Sequence, residues 1–287
     1  MLKIASRNWL LAHGRVLELG ANARLMAIVN VTPDSFSDGG SYETVRDAVG
    51  YALRCAEEGA DIVDIGGEST RPGADPVSSQ QEQDRVLPVI EALAKQSDAL
   101  ISIDTYRAET ARLALAAGAH IINDVCGLLR EPEIATVAAQ FRAGLCIMHT
   151  GRGREILPDP IADQHLFFEN ALAIANAAHV SAQTITLDPG FGFAKETVQA
   201  NMDLMARSGE LLDLGYPLLV GTSRKRFLGT LTGRVAAERD VSTAATSVLL
   251  RMRGASVFRV HDVKANRDAL AVADAMLAAQ AVASTLI

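Results

Sequence analysis

The chain has 287 residues, of which 49% are hydrophobic and 21% charged, and its formal net charge at pH 7 is -7. This composition is typical of a folded globular protein and excludes a disordered chain. The acidic balance argues against a nucleic-acid partner, which needs a basic surface, although a local pocket can still bind a small anion. Three widely spaced cysteines without a C-x-x-C pair argue against a zinc site and favour a reducing compartment.

No uninterrupted apolar run is long enough to cross a bilayer, and the N-terminus lacks the apolar segment of a signal peptide. We therefore expect a cytoplasmic protein without a membrane partner. The first predicted barrel strand begins at Leu25. Residues 1–24 are predicted to be an N-terminal lead-in, possibly a short hairpin, and residues 25–287 a single barrel domain.

Apolar runs of strand length alternate with helical periodicity along the rest of the chain. The predicted strands cover residues 25–31, 62–65, 100–103, 121–122, 145–148, 184–187, 218–221 and 256–260. The predicted helices cover residues 42–58, 80–95, 108–117, 132–140, 161–179, 196–207, 239–253 and 264–283. About eight strand–helix units predict an α/β fold, a single (β/α)8 TIM barrel. A doubly wound open sheet is the alternative, but no G-x-G-x-x-G motif opens a helix after the first strand.

Active sites of such barrels lie at the carboxyl ends of the strands. Almost every predicted strand ends in a polar side chain, and the set is Asn30, Glu68, Thr70, Arg71, Asp104, Asn123, His149, Asp188, Ser223, Arg224, Lys225, Arg259 and His261. Polar groups directly after buried apolar runs are costly unless they bind something. Capping of the next helix is an alternative for each aspartate, and a solvated basic pair is the alternative for Arg224 and Lys225.

The strand-end residues divide by chemistry into two groups. Asp104, Asn123 and Asp188 supply acceptors and an amide that suit a flat heterocycle with ring N–H and amino donors, and two carboxylates stabilise a developing cation. Arg259 and His261 are donors suited to phosphate, and as alternate residues of one strand they should point to the same side.

Arg71 is a further candidate phosphate ligand, and Asn30 a candidate Mg2+ ligand through its amide oxygen. Few protein ligands are needed for Mg2+, because phosphate and water complete its coordination. We therefore expect a substrate with a polar ring at one end and a phosphate group at the other.

Seven segments resemble, in order, the motifs of the dihydropteroate synthase family. They are NVTPDSFSDGG (30–40), DIGGESTRPGA (64–74), SIDTY (102–106), NDVCG (123–127), DPGFGF (188–193), GTSRKRFLG (221–229) and FRVHDV (258–263). The resemblance covers about residues 25–275. It departs from the common family pattern after Met148-His149, where the loop continues Thr150-Gly151.

The resemblance implies a cytoplasmic transferase of folate biosynthesis, which condenses 7,8-dihydropterin-6-ylmethyl diphosphate with p-aminobenzoate. It places Asp104, Asn123, Asp188 and Lys225 at the pterin ring, with Asp104, Asp188 and Lys225 as the catalytic residues. It places Asn30, Arg259 and His261 at the diphosphate, with Mg2+ as cofactor at Asn30. The residues implied around the aminobenzoate are Phe36, Thr70, Arg71, Pro72, Phe193 and Ser223.

Two other functions stay open at this point. A pterin-binding methyltransferase domain shares the barrel and several acidic strand ends, and an inactive barrel could serve as a partner subunit. The SRK sequence at Lys225 and the intact strand-end residues favour the synthase. The family resemblance also implies a homodimer, for which residues such as Ala244, Ala245, Val248 and Leu249 could form the interface or face the barrel.

Overall fold

The structure is a computed structural model that describes residues 6–32, 45–69 and 76–285. It begins with a hairpin of β1 (Arg7–Leu10) and β2 (Val16–Leu19), which pair antiparallel. A hairpin in the lead-in was predicted, and its presence is confirmed. The division of the chain into a lead-in and one domain stays a prediction.

Eight parallel strands follow and form a nearly closed barrel. They are β3 (Arg24–Asn30), β4 (Ile62–Gly66), β5 (Leu100–Asp104), β6 (Ile121–Asp124), β7 (Gly144–Met148), β8 (Ile185–Asp188), β9 (Leu219–Val220) and β10 (Val257–Val260). In the sheet each strand lies beside its neighbour in sequence, and β10 pairs with both β3 and β9. This circular order confirms the predicted barrel and excludes the doubly wound sheet.

Helices cover the outside of the barrel. They are α1 (Val45–Glu57), α2 (Ser79–Gln96), α3 (Ala108–Ala116), α4 (Glu133–Phe141), α5 (Pro160–Ala177), α6 (Val198–Arg207), α7 (Arg226–Thr232), α8 (Asp240–Arg251) and α9 (Val263–Thr285). All agree with predicted helices within a few residues except the short α7, which was not predicted. The predicted start of the first helix, residues 42–44, lies outside the described residues.

Side-chain caps define where several helices begin. Ser78 and Gln81 form a capping box at the start of α2, with each side chain accepting a hydrogen bond from the other's backbone N–H. At α5 the Asp159 carboxylate accepts from the N–H groups of Ile161 and Ala162, and Pro160 occupies the first helical position. These local signals explain why the helix starts were predictable from sequence.

The lower part of the barrel interior is apolar and is closed by the hairpin. Side chains of the hairpin and of seven barrel strands pack in one cluster of Trp9, Leu11, Leu17, Leu19, Met26, Ile62, Leu100, Ile121, Cys146, Leu219 and Val257. At Gly144 a Cβ atom would come within 2.5 Å of Leu11, which shows how closely the hairpin fits the strand. The hairpin therefore seals the end of the barrel at which the strands begin, opposite to their carboxyl ends.

The barrel closes at a seam between β8 and β9. Within the described residues this seam holds one parallel bridge, Leu187 to Leu218, and a hydrogen bond from the Leu187 N–H to the Pro217 carbonyl at 3.0 Å. The hairpin contacts both sides of the seam. Trp9 Nε1 donates to the Thr184 carbonyl at 2.7 Å, and the Arg7 guanidinium donates to the Gly215 carbonyl.

Candidate functional site

The described candidate residues lie together at the carboxyl end of the barrel. Asn30, Asp104 and Asp188 are the last residues of β3, β5 and β8. The others occupy neighbouring positions: Asn123 in β6, Arg259 in β10, and Phe193, Ser223, Lys225 and His261 in the segments after β8, β9 and β10. The parallel strands thus bring residues that are far apart in sequence to one mouth.

Arg259 joins two carboxylates on the floor of this mouth. Its Nε atom lies 2.6 Å from Asp64 Oδ2, and an Nη atom lies 2.6 Å from Asp104 Oδ2. Asn123 Nδ2 donates to the same Asp64 oxygen at 3.1 Å. Burial raises the pKa of the Asp104 carboxyl to about 7, although Arg259 opposes this shift. Near neutral pH the Asp104 carboxyl on this floor can therefore be either protonated or ionised.

Asp64 is a member of the site that the sequence analysis missed. It was treated as an interior residue of the second barrel strand, and the structure confirms that it is fully buried in β4. Its Oδ1 atom has no hydrogen-bond partner among the described residues, so it can accept from a bound molecule. The available signal was a carboxylate inside an apolar run, at a position two residues before the strand end.

Asp188 and Lys225 form the opposite wall. The Asp188 Oδ1 atom accepts from the Gly190 N–H at 2.8 Å, and burial raises the pKa of its carboxyl to about 6. The Lys225 Nζ atom lies 4.1 Å from the centroid of the Phe193 ring, in cation–π contact. Burial lowers the pKa of Lys225 to about 8, and the nearby charge of Arg259 also lowers it. At neutral pH this wall therefore presents one anion and one cation.

Glycines leave space between these side chains. A Cβ atom at Gly192 would lie 3.2 Å from Lys225 Cδ, so the glycine lets the lysine stem pass. At Gly221 a Cβ atom would lie 3.8 Å from Arg259 Cβ and 3.9 Å from Asp188 Oδ2. Of these two, only the Gly192 contact is tight enough that a side chain there would displace a neighbour.

Arg259 and His261 are directed to different side chains among the described residues. The Arg259 guanidinium is directed to the carboxylates on the floor, whereas His261 Nδ1 lies 2.8 Å from Ser223 Oγ. The same Ser223 oxygen accepts from the His261 backbone N–H at 3.1 Å. Both residues lie at the mouth, as predicted, but the common anion site stays a prediction. Arg224 turns away and pairs with Asp240 at 2.8 Å.

Asn30 is suited to bind a magnesium ion whose other ligands are phosphate and water. No group of three or more His, Cys, Asp or Glu side chains in the described parts of the chain could hold a metal ion. The half-buried Asn30 side chain makes no hydrogen bond with another described residue, and its oxygen faces the small Gly66. A single amide oxygen suits Mg2+ when phosphate and water supply the other ligands.

Four predicted site residues, Phe36, Thr70, Arg71 and Pro72, lie outside the described residues. Arg107 fixes the chain on either side of residues 70–75. One Nη atom lies 2.6 Å from Glu68 Oε2, and the other donates to the Val77 carbonyl at 2.7 Å. Glu68 thus makes an ion pair that holds the chain at this point.

His149, one of the polar strand-end residues, lies buried beside the mouth. Its Nε2 atom is 2.9 Å from Asp163 Oδ2, and its Nδ1 atom is 3.1 Å from Lys195 Nζ. Burial lowers the pKa of His149 to about 3, so the ring is neutral. Lys195 was not singled out from the sequence, because it follows the DPGFGF segment and carries no motif of its own.

Comparisons with known proteins agree on one family. The sequence profile described as "Pterin binding enzyme" matches residues 26–261. A dihydropteroate synthase of Streptococcus pyogenes is 48% identical over 253 residues, covering 88% of this chain and 94% of that protein.

Solved structures give the same result. A Xanthomonas albilineans dihydropteroate synthase with 4-aminobenzoic acid has a TM-score of 0.88 and 44% identity, covering 96% of this chain and 99% of that one. The enzyme of the same organism in complex with 7,8-dihydropteroate has a TM-score of 0.84 and 43% identity, covering 93% and 98%.

Proposed function

The chain belongs to the pterin-binding enzyme family as a dihydropteroate synthase, and we propose that the residues at its barrel mouth divide the reaction among three regions. In this reaction the bond between the pterin methylene carbon and the diphosphate oxygen breaks. The amine of p-aminobenzoate forms a new bond to that carbon and loses one proton. The products are 7,8-dihydropteroate and pyrophosphate.

The pterin region consists of Asp104, Asn123, Asp188 and Lys225. The two carboxylates accept hydrogen bonds from the ring N–H and amino groups, and the Asn123 amide adds a further polar contact. When the diphosphate leaves, positive charge develops on the pterin, and the fixed carboxylates stabilise it. A cation in contact also favours the ionised form of Asp104 over the protonated form.

The diphosphate region consists of Asn30, Arg259 and His261. Donors from Arg259 and His261 neutralise the leaving group, and neutralisation makes diphosphate easier to expel. Mg2+ held at Asn30 would supply further neutralisation of the diphosphate charge when bound. The Arg259 side chain keeps about 20% of its surface exposed, so part of the guanidinium remains accessible from the mouth while it neutralises the floor.

The aminobenzoate region includes Phe193 and Ser223. The Phe193 ring offers an aromatic face, and Ser223 offers a hydroxyl that His261 already orients. Phe36, Thr70, Arg71 and Pro72, which lie outside the described residues, complete this region in the proposal. The aryl amine is a weak base, and its attack therefore needs little help from a general base.

A methyltransferase and an inactive partner subunit are less well supported. The relatives that match over most of their length carry the name of the synthase, and one solved relative binds 7,8-dihydropteroate. The strand-end residues that an inactive barrel would have lost are present in the sequence, and Asn30, Asp104, Asn123, Asp188, Lys225, Arg259 and His261 lie at one mouth. Both alternatives therefore lack a supporting observation.

A homodimer is part of the proposal. On α8 the Ala245 and Leu249 side chains are exposed, with Leu249 at 56%, whereas Ala244 and Val248 are half-buried. An exposed apolar stripe of this kind is suited to a two-fold interface. Sedimentation velocity of Leu249→Asp tests it: a dimer that becomes monomeric supports this surface, and an unchanged sedimentation coefficient contradicts it.

We also propose a cytoplasmic location. Among the helices that the structure describes, none has both the length and the apolar character needed to span a membrane. The substrates of the reaction are charged, small and polar, as expected for an enzyme of central metabolism in the reducing compartment that the cysteines favour.

The observation that carries the function is the convergence of Asp104, Asn123, Asp188 and Lys225 at one mouth. The test is formation of dihydropteroate from the pterin diphosphate, p-aminobenzoate and Mg2+ by the wild-type protein and by Asp188→Asn. We expect product from the wild type and a loss of about 100- to 1000-fold in the variant. Asp213→Asn, an exposed aspartate ahead of β9 at the far end of the barrel, is the control. A well-folded wild-type protein that makes no dihydropteroate would refute the function.

A further inference from the structure

A second cluster of polar and charged groups, two of them buried and two half-buried, lies beside the mouth, and the proposed mechanism does not use it. It consists of His149, Arg154, Asp163 and Lys195. The Arg154 guanidinium binds both Asp163 oxygens, at 2.8 Å and 2.6 Å. His149 Nε2 lies 2.9 Å from Asp163 Oδ2 and 2.8 Å from an Arg154 Nη atom, and His149 Nδ1 lies 3.1 Å from Lys195 Nζ. The cluster thus forms a continuous chain from α5 to the segment after β8.

Lys195 uses its three ammonium protons on three acceptors. Besides His149 Nδ1, its Nζ atom lies 2.9 Å from the Gly190 carbonyl and 3.2 Å from the Phe193 carbonyl. These two carbonyls belong to the segment that runs from the catalytic carboxylate of Asp188 to Lys195 itself. An ammonium group with three donors and no spare proton is a strong local anchor.

The backbone of this segment is shaped to surround the ammonium group. Gly190, Gly192 and Ala194 all have left-handed φ angles, of 65°, 76° and 55°. At Gly190 a Cβ atom would lie 1.9 Å from the His149 carbonyl oxygen, so only glycine fits. On the other side, the buried Asn201 accepts from the Gly192 N–H at 2.9 Å and donates to the Lys195 carbonyl at 2.8 Å. The segment is therefore fixed from both sides.

This segment carries Phe193, whose ring contacts Lys225 in the mouth. Without these hydrogen bonds the backbone at Phe193 could shift, and its ring would shift with it. The ring face that the Lys225 ammonium group contacts, at 4.1 Å from the ring centroid, would then move as well. We propose that Lys195 is a positioning residue for the aminobenzoate region, because its ammonium group holds the Gly190 and Phe193 carbonyls and thereby fixes the Phe193 ring. The inference rests on the proposed function, since it assigns Phe193 to the aminobenzoate.

The charges around Lys195 come from several elements. Asp163 on α5 and Asp188 on β8 favour its ammonium form, whereas Arg154 and Lys225 oppose it. Burial is the largest influence and lowers the pKa of Lys195 to about 7. A neutral amine has only two protons for three acceptors, so the anchor weakens as the pH rises through this range.

The experiment compares Lys195→Met with Arg154→Met. Both variants remove one cation from the same cluster, but only the first removes the contacts to the two carbonyls. For Lys195→Met we expect the KM for p-aminobenzoate to rise about tenfold, while the Kd for the pterin diphosphate changes less than about twofold. For Arg154→Met we expect an unchanged KM for p-aminobenzoate, even if the melting temperature falls equally.

Lys195→Arg is the conservative variant. A cavity of about 300 Å3 borders Lys195, so the longer side chain has space. Because a guanidinium stays charged, we expect this variant to restore much of the affinity for p-aminobenzoate. Its KM should also rise less than that of the wild type between pH 6.5 and 8.5, a change in profile that loss of stability alone does not produce.

Two kinetic outcomes would overturn the inference: an unchanged KM for p-aminobenzoate in folded Lys195→Met, or an equal rise in Arg154→Met. Hydrogen exchange of the amides of residues 190–193 gives a readout that does not depend on turnover. Faster exchange in Lys195→Met is expected, and unchanged exchange contradicts the anchor. If the wild type makes no dihydropteroate while the exchange result holds, the proposed function has failed and the anchoring has not. If Lys195→Met does not fold, Lys195→Gln takes its place in both measurements.

Discussion

At the amino-terminal end of the barrel the inward side chains are apolar, whereas at the carboxyl end they are charged or polar, although both sets belong to the same strands. On β4 the order along the interior is Ile62, Asp64 and Gly66, and on β5 it is Leu100, Ser102 and Asp104. The change takes place within two to four residues, or about 7 to 14 Å of strand.

The difference between the ends separates stability from chemistry. The apolar end is sealed by the hairpin and contributes burial without any polar requirement. The polar end holds Asp64, Asp104 and Arg259 in a buried network, and burial of such charges costs stability unless they are paired. Substitutions at the two ends should therefore affect different measurements, and the following three variants test that separation.

The largest effect is expected from Trp9→Ala at the apolar end. The substitution leaves a cavity under the barrel and removes the hydrogen bond to the Thr184 carbonyl. We expect the free energy of unfolding to fall by about 3 to 5 kcal/mol, with kcat and both KM values unchanged in the folded fraction. Denaturant unfolding and steady-state kinetics measure the two quantities. A loss of kcat as large as the loss of stability would show that the two ends are not independent.

Asp104→Asn at the polar end should have the opposite pattern. The neutral amide cannot stabilise the developing cation, and we expect kcat to fall by about 100-fold. At pH 8 we expect the free energy of unfolding to rise by about 2 kcal/mol, because a buried carboxylate is replaced by a neutral group. A variant that is both inactive and much less stable at pH 8 would contradict this interpretation of the floor.

The gain in unfolding free energy of Asp104→Asn should depend on pH, because the pKa of Asp104 is raised in the folded protein. The pKa of Asp104 in the folded protein, about 7, lies above that of an exposed aspartate, so the folded state binds the proton more tightly. The contribution of this group to stability is therefore highest at low pH and falls as the pH rises toward 7. The advantage of Asp104→Asn over the wild type should be small at pH 4.5 and full at pH 8, as measured by urea unfolding at both values.

The smallest effect is expected from Ser102→Ala, in the layer between the two ends. The Ser102 hydroxyl is fully buried and makes no hydrogen bond with any described residue. Removal of an unpaired hydroxyl should raise the free energy of unfolding by about 1 kcal/mol, with activity unchanged. A decrease in stability would instead indicate that a buried water binds there, and that the polar end reaches one layer further down.

Much of the fold and part of the site could be predicted from the sequence. Short continuous apolar runs with polar ends mark the parallel strands, and barrel topology alone places Asp104, Asn123 and Asp188 at one mouth. The short α7 was not predicted, because seven residues beginning with Arg226 and containing Gly229 give little helical periodicity.

The pairing within the site could not be predicted. Arg259 contacts Asp64 and Asp104, which lie 195 and 155 positions away in sequence, and no local pattern encodes such a choice. Asp64 was missed because a carboxylate inside an apolar run gives no strand-end signal. Lys195 was missed because its importance depends on the left-handed backbone of the preceding segment, which is a property of the folded chain.

The seam between β8 and β9 is the place where the barrel is most weakly closed. Within the described residues a single bridge, Leu187 to Leu218, joins these two strands, so transient opening should begin there. The hairpin binds both sides of the seam through Trp9 and Arg7. It therefore holds β8 and β9 together in addition to covering the apolar end of the barrel. A chain cut or extended near its N-terminus would open more often at this seam, and proteases would cleave near Pro217 before the catalytic mouth lost its geometry.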